Sequence, residues 1–263
     1  MADTNGSLLN ALLFGGGQGG GSGGGDADAI IDRTVSKIND SDATIVGAYA
    51  FYDCRSLTKA NFPEATEVSS HAFQYCDTLS EVSFPKAGKI GNGAFMSCLS
   101  LASASFPEAT EVVTYAFQDC GQMATAYFPK VSTIGSSAFI STGLFEANFP
   151  KAQTVSQYAF GYCLSMSTAS FPSATSIYAN AFNGCRQLLS FYLLGTSYCS
   201  LGTSAFRSTP IAGYTVYTSG TYGSIYVRES MYSTYSTMTN WTTYAARFVS
   251  LTDEQIAALD GGN

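Results

Sequence analysis

The chain has 263 residues, 46% of them hydrophobic and only 12% charged, with a formal net charge of −7. That length suits one or two ordinary domains or one solenoid, and the scarcity of ions leaves Ser, Thr, Asn, Gln and Tyr to make the surface polar. The 12 Lys and Arg form no basic cluster, which excludes a nucleic-acid partner held through its phosphates and gives no grip on an anionic membrane. No apolar run approaches the roughly 18 residues that a membrane-inserted helix requires.

The first segment, 1–25, reads as a short apolar tag and a glycine-rich linker. Ser7 to Phe14 is apolar, and between Gly15 and Gly25 only Gln18 and Ser22 are not glycine. Such a tract is a flexible coil. Its glycines follow no strand, so they are not a nucleotide-binding loop. The apolar run has no basic residues before it and meets glycines rather than an Ala-x-Ala site, so it is read as something other than a secretion signal. On this reading Leu8 to Phe14 docks on a partner and the glycines set its reach. Residues 26–45, with Ile30, Ile31, Val35 and Ile38, are expected to form an N-terminal cap, the atypical end unit that stacked repeats need.

From there a repeat takes over. An Ala-Phe pair recurs at Phe51, Phe73, Phe95, Phe117, Phe139, Phe160, Phe182 and Phe206, in steps of 22, 22, 22, 22, 21, 22 and 24. A Phe-Pro pair recurs at Phe62, Phe84, Phe106, Phe128, Phe149 and Phe171, with Leu193 in the next place. Two further apolar columns run Val46 to Ile177 and Leu57 to Leu188. Parallel columns at a fixed period near 22 lie in the leucine-rich-repeat range and predict a solenoid over 46–212.

One unit shows the physics. In Leu79-x-x-Val82-x-Phe84, Val82 and Phe84 alternate inward while Glu81 and Ser83 face out, and Pro85 ends the strand because it has no N–H for the ladder. Ala87 and Ile90 carry the chain across a second side, and Gly91 to Cys98 close the coil as a tight helical or 3₁₀ turn. A single unit cannot bury its own apolar face, but stacked units bury each column against its copies. The fold class expected is a leucine-rich-repeat solenoid, β-rich with short helical or 3₁₀ turns, a parallel sheet on one face, right-handed crossovers and a small α+β C-terminal cap.

The pattern Ala-Phe-x-x-Cys-x-x-Leu, then Phe-Pro, then Ile/Val-x-x-x-Ala-Phe, resembles the BspA-like family of leucine-rich repeats over about Val35 to Ala212. Ile225-Tyr226-Val227 and the stretch from Asn240 to Ala245 resemble the closing segment of such proteins. The resemblance implies a bacterial surface protein acting in adhesion and protein binding, or a related repeat protein of a phage, a prophage or a eukaryotic parasite.

Residues 213–263 break the period and are read as a C-terminal cap. Tyr214 to Tyr217 and Ser224 to Val227 are expected as short strands. Met231, Tyr235 and Met238, then Trp241, Tyr244 and Phe248, lie at helical spacing, with Asn240 placed to cap the second helix. Asp253 and Glu254 open a last short helix through Leu259, with acidic residues at its N-terminus as the helix dipole favours.

Chemistry-bearing residues are few. Cys54, Cys76, Cys98, Cys120, Cys163 and Cys185 each sit three residues after the repeat Phe, with Thr142 in the missing place. At coil spacing their Cβ atoms do not converge as a disulfide prefers, and a straight ladder offers no tetrahedral zinc site. They are expected to be reduced, buried and structural, while Cys199 falls off the ladder. The single histidine, His71, stands in a variable column and is read as a surface residue, which leaves no Ser-His-Asp or Cys-His pair to assemble. Glu64, Glu67, Glu108 and Glu111 read as solvated charges, and Glu81 and Glu146 are three units apart, too far for a glycosidase pair. No catalytic residue, cofactor or metal site is expected.

The outward positions of the long sheet are the candidate ligand-binding surface: Lys59, Asn61, Glu81, Ser83, Thr125, Tyr127, Glu146, Asn148, Ser190 and Tyr192, with Ser103, Ser105, Thr168 and Ser170 between them. This face is small, polar and nearly uncharged, with Tyr127 and Tyr192 standing out. Solenoids use such faces for extended binding, and Tyr gives contact area at low entropic cost. The tyrosines between Tyr214 and Tyr235 are a second candidate patch. The function expected is a non-enzymatic binding or adhesion scaffold for a protein or glycan at a bacterial or virion surface. The alternative is a structural component of a phage or prophage particle, tethered by the N-terminal segment.

Overall fold

In a computed structural model of the chain, residues 34–213 and 221–260 are described. The segment 1–25, Ile30 and Ile31 of the N-terminal cap, and the strand expected over Tyr214 to Tyr217 lie outside the described residues.

The chain winds as a solenoid whose coils each contribute two parallel strands. The longer strands are β1 (Lys37–Asn39), β3 (Lys59–Asn61), β5 (Glu81–Ser83), β7 (Ser103–Ser105), β9 (Thr125–Tyr127), β11 (Glu146–Asn148), β13 (Thr168–Ser170) and β15 (Ser190–Leu193). Their partners are spaced at the sequence repeat, as in Ile38↔Ala60 and Ala60↔Val82. This is the sheet that the alternation predicts. The second set, β2 (Ile45–Val46), β4 (Glu67–Val68), β6 (Lys89–Ile90), β8 (Glu111–Val112), β10 (Thr133–Ile134), β12 (Thr154–Val155), β14 (Ser176–Ile177) and β16 (Ser200–Leu201), makes an unbroken 8-stranded ladder on another side of the coil. Two-residue strands are too short to show alternation; the Val46 to Ile177 column marks their inward residue without by itself spelling a strand.

Between the two sheets the coil closes by overlapping turns. Ala94, Met96 and Cys98 donate to the carbonyls of Gly91, Gly93 and Phe95, the 3₁₀ pattern. Two left-handed residues per coil keep this from becoming a helix, for instance Tyr49 and Asp53 (φ 59° and 58°) or Tyr115 and Asp119 (φ 60° and 59°). Such angles are uncommon for tyrosine and cost of order 1–3 kcal/mol each, so something must over-determine them. Here it is a third ladder: the N–H groups of Tyr49, Phe51 and Asp53 donate to the carbonyls of Ser70, Ala72 and Gln74 in the next coil, and this repeats along the solenoid.

The core is a herringbone of phenylalanines. The Ala-Phe rings stack on one another, as Phe73 on Phe95 at 5.2 Å and 3°, and so do the Phe-Pro rings, as Phe149 on Phe171 at 5.8 Å and 0°. The two columns meet edge to face, as Phe73 and Phe84 at 65°. Both are the geometries that aromatic quadrupoles prefer. Leu193 holds the backbone place of the next Phe, but the next ring in the column is Phe191, which stacks on Phe171 from a position where other coils carry a small residue. Chain position and ring position have exchanged there.

All seven cysteines are free and buried. The ladder has a specific cause beyond apolar filling. Cys76, Cys98, Cys120, Cys163 and Cys185 donate their thiols to the carbonyls of Phe51, Phe73, Phe95, Phe139 and Phe160 of the preceding coil, at 2.9–3.1 Å. Thr142, in the missing place, donates instead within its own coil, to Phe139 O at 2.9 Å, and its hydroxyl lies 3.1 Å from Cys163 Sγ. Burial pushes the Cys120 thiol up to about 12. Cys199, outside the ladder, is where the C-terminal cap grips: its N–H donates to the Tyr235 hydroxyl at 3.0 Å and its carbonyl accepts from Trp241 Nε1 at 2.8 Å.

The C-terminal segment both extends the solenoid and closes it. β17 (Ser224–Arg228) and β18 (Phe248–Leu251) continue the long sheet past β15, all parallel. Helix α1 (Glu229–Tyr235) and a 3₁₀ helix (Trp241–Arg247) lie over the last coil. Asn240 does not cap that helix. Its side chain donates instead to Leu201 O at 2.6 Å, satisfying the last rung of the second sheet. Phe248 begins a strand rather than ending a helix. Helix α2 (Asp253–Asp260) starts with a capping box, in which Gln255 N–H donates to Thr252 Oγ1 and Thr252 N–H to Gln255 Oε1.

Two outcomes follow. A thiol reagent at neutral pH should label few of the seven cysteines in the native chain and all of them after denaturation; seven fast-reacting native thiols would contradict the buried ladder. Because folding holds Cys120 and Cys199 at about 12 against an ordinary 9.0, the unfolded chain loses those protons first. The urea midpoint should therefore be flat below pH 9.0 with respect to these groups and fall as pH rises from there toward 12. Phe117→Ala, in the middle of the ring column, should cost about 3–5 kcal/mol by the same measurement.

A cleft at a break in the long sheet

The long sheet is not continuous. It divides into β1-β3-β5, β7-β9 and β11-β13-β15-β17-β18, while the second sheet runs through unbroken. Between β9 and β11 the cause is legible in the chain. Other coils place two residues between the Cys and Leu columns, as Gly121 and Gln122 between Cys120 and Met123, but the next coil places only Gly143 between Thr142 and Leu144. This is the 21-residue step. The shortened turn brings Gly143 so close to the coil before it that a Cβ would lie 2.5 Å from Gly121 O. The strand that follows keeps its first rung, Phe145 N–H to Ala124 O at 3.3 Å, and parts from β9 beyond it. Phe106 N–H donates to Tyr127 O and Phe149 N–H to Ser170 O, but the equivalent bond from Phe128 to Asn148 is not made. The break between β5 and β7 has no change in coil length; it carries Val82 in a column of alanines (Ala60, Ala104, Ala126, Ala147, Ala169).

Each break opens a cleft. The one at β9/β11 measures about 590 Å³ and is lined by Ser103, Ser105, Thr125, Tyr127, Phe145, Glu146 and Asn148 over a floor that includes Ala104 and Ala126. Tyr127 is 58% exposed and Phe145 59%. Phe145 occupies the column just before the strand, where other coils carry Thr58, Ser80, Ala102, Ala124, Ser167 and Leu189. It lies outside every apolar column of the repeat, so column reading passes over it. A large apolar residue immediately after the one-residue deletion was the available signal. The smaller cleft at β5/β7, about 360 Å³, is lined by Lys59, Asn61, Glu81, Val82, Ser83 and Ser103.

The sequence-predicted residues therefore fall into three groups. Thr125, Tyr127, Glu146 and Asn148 gather in the larger cleft. Lys59, Asn61, Glu81 and Ser83 gather in the smaller one, but largely partner their neighbours: Lys59 Nζ is 2.6 Å from Glu81, and Asn61 donates to Asn39 at 2.6 Å. Ser190 and Tyr192 lie apart from both clefts. The Tyr192 ring is covered by Tyr226 of β17, stacked at 4.6 Å and 12°, so the prominent tyrosine of the sequence is an internal rung of the extended sheet.

Other expectations are corrected. Glu64, Glu67 and Glu108 are not merely solvated; each meets a lysine 22 residues on, Lys86, Lys89 and Lys130, at 2.6, 3.0 and 2.7 Å. Exposed pairs of this kind contribute ~0–1 kcal/mol each and chiefly favour the register. His71 is half-buried rather than on the open surface: its ring stacks on Tyr49 at 5.0 Å, and its Nδ1 lies where a side chain on Gly93 would need to be. In the second tyrosine patch, Tyr235 is a buried core residue of the cap, and Arg247 lies 3.9 Å over the Tyr222 ring.

Among the described residues no three His, Cys, Asp or Glu side chains gather as metal ligands. No helix of the described residues is long and apolar enough to cross a membrane. Glu146 is the one carboxylate in the larger cleft, and no histidine reaches it.

Comparisons with known proteins agree with this architecture. The chain is similar in structure to a leucine rich cell surface protein from Faecalibacterium prausnitzii (TM-score 0.52, 21% identity), covering 67% of this chain and 59% of that one. It thus spans somewhat over half the length of that relative, and the likeness is one of fold. A leucine rich repeat protein of T. pallidum gives a TM-score of 0.49 at 20% identity, over 66% of this chain and 77% of that one. The sequences of curated proteins give no match. The profile of the BspA type leucine rich repeat region matches in 6 copies, over residues 44–165 and 153–245. Those matches span well over half of the chain, and the chain belongs to the BspA-type leucine-rich-repeat proteins.

Proposed function

We propose that this protein is a non-enzymatic binding scaffold that presents the long-sheet face to a protein or glycan partner at a bacterial cell surface. The observation that carries the reading is the larger cleft. It holds two exposed aromatic rings among free polar groups on a face otherwise made of small residues, and its volume is within the range of ligand sites. The repeat family is a scaffold type, and the Faecalibacterium protein of the same fold is described as a cell surface protein. Against an enzyme stand the single carboxylate of the cleft and the stacking of the only histidine against Tyr49, which leave no acid–base pair.

Fluorescently labelled protein on a panel of bacterial and host cells tests this. Tyr127→Ala with Phe145→Ala should lower cell binding about tenfold or more at an unchanged melting temperature. Tyr49→Ala with Tyr52→Ala, on the turn side, should leave binding as it is. Equal binding by the cleft variant and the unaltered chain would refute the reading.

A further inference from the structure

We infer that the larger cleft binds an uncharged oligosaccharide segment; this rests on the reading of that cleft as the binding site. The argument begins with what the polar groups there are not doing. In the N-terminal coils the outward columns are spent on each other, Lys59 with Glu81 and Asn61 with Asn39. Around the break the same columns hold Ser103, Ser105, Thr125 and Asn148, all exposed, and their side chains make no hydrogen bond to any other described residue. Hydroxyls and a carboxamide donate and accept alike, which suits a ligand whose own groups are hydroxyls.

The aromatic rings supply the second half. Tyr127 and Phe145 do not stack on any described ring, and more than half of each is open to solvent. Their faces are electron-rich and flat. The C–H bonds of a pyranose face, polarised by neighbouring oxygens, pack against such a ring while the equatorial hydroxyls reach sideways to the polar groups. Charge narrows the class further. The cleft contains no Lys or Arg and one carboxylate, Glu146, so a sialylated or sulfated chain would be repelled without compensation. A polypeptide is less well served. The facing edges of β9 and β11 remain tied at one end by the Phe145 N–H bond to Ala124 O at 3.3 Å, which leaves no room between them for an added strand. Its volume, about 590 Å³, fits a small-ligand site, whereas a protein partner takes a broad, flat contact.

The test is an array of immobilised neutral oligosaccharides with sialylated and sulfated ones beside them. The unaltered chain should be retained on members of the neutral set. Tyr127→Ala and Phe145→Ala should each reduce retention about tenfold or more. Glu146→Gln should admit anionic members of the array. Insertion of one residue between Thr142 and Gly143 restores the 22-residue step and should abolish retention; if that variant does not fold, the two aromatic substitutions still decide. Retention on no neutral oligosaccharide, or equal retention by both aromatic variants, would overturn the inference. Cell binding separates the two failures. If binding needs Tyr127 and Phe145 but survives periodate and is lost to protease, the saccharide class falls and the surface-binding reading stands. If cell binding ignores both rings, the two fall together.

Discussion

The distance from one coil to the next governs this molecule. Parallel strands sit ~4.8 Å apart, and every other contact between coils must be made at nearly that separation. Flat phenyl rings can stack at it, with centroids 5.0–6.0 Å apart along the two columns. A thiol can reach a carbonyl of the preceding coil, and a lysine can meet a glutamate 22 residues earlier. The left-handed tyrosines and serines of the turns follow from the same condition. Their backbone conformation is unfavourable alone and is held because it aims an N–H at the next coil's carbonyl. The repeat sequence is a list of side chains that tolerate identical neighbours above and below.

Seen this way, the binding face is where that condition is relaxed. The second sheet and the turn ladder hold the coils together continuously, so the long sheet can part at two places without loss of the stack. One deleted residue at Thr142-Gly143-Leu144 turns a uniform wall into a cleft. It also parts the strand that carries Tyr127 from its neighbour beyond the first rung, and it sets Phe145 at the rim. A periodic scaffold gains a distinct site by a local departure from its period, with the core columns on either side unchanged.

The sequence made the columns visible because each is a recurring residue type at a recurring interval, and the thiol ladder and sheet alternation followed from them. Other features had no such signature. Two-residue strands carry no alternation. Left-handed turn residues are Tyr, Asp, Ser, His, Asn or Gly in different coils, with no common residue type. Tyr192 and Tyr127 look alike in the sequence, and only the continuation of the sheet through Tyr226 separates a covered ring from an open one. Phe145 is overlooked for the opposite reason: it fits no column. The 21-residue step was in plain view, but its meaning depends on where within the coil the missing residue falls.

The turn ladder has a direction. Every rung runs the same way, from an N–H of one coil to a carbonyl of the coil that follows, as from Phe73 to Ala94 and from Phe95 to Ala116. The two ends of the solenoid are therefore chemically unlike. The last coil leaves donors, and the C-terminal segment covers that end, with Tyr244 edge to face against Phe206 at 5.3 Å. The first coil leaves carbonyls, and a segment closing that end must bring donors. The two ends are not interchangeable, whereas a coil duplicated in the interior presents to its neighbours the same groups that they already meet.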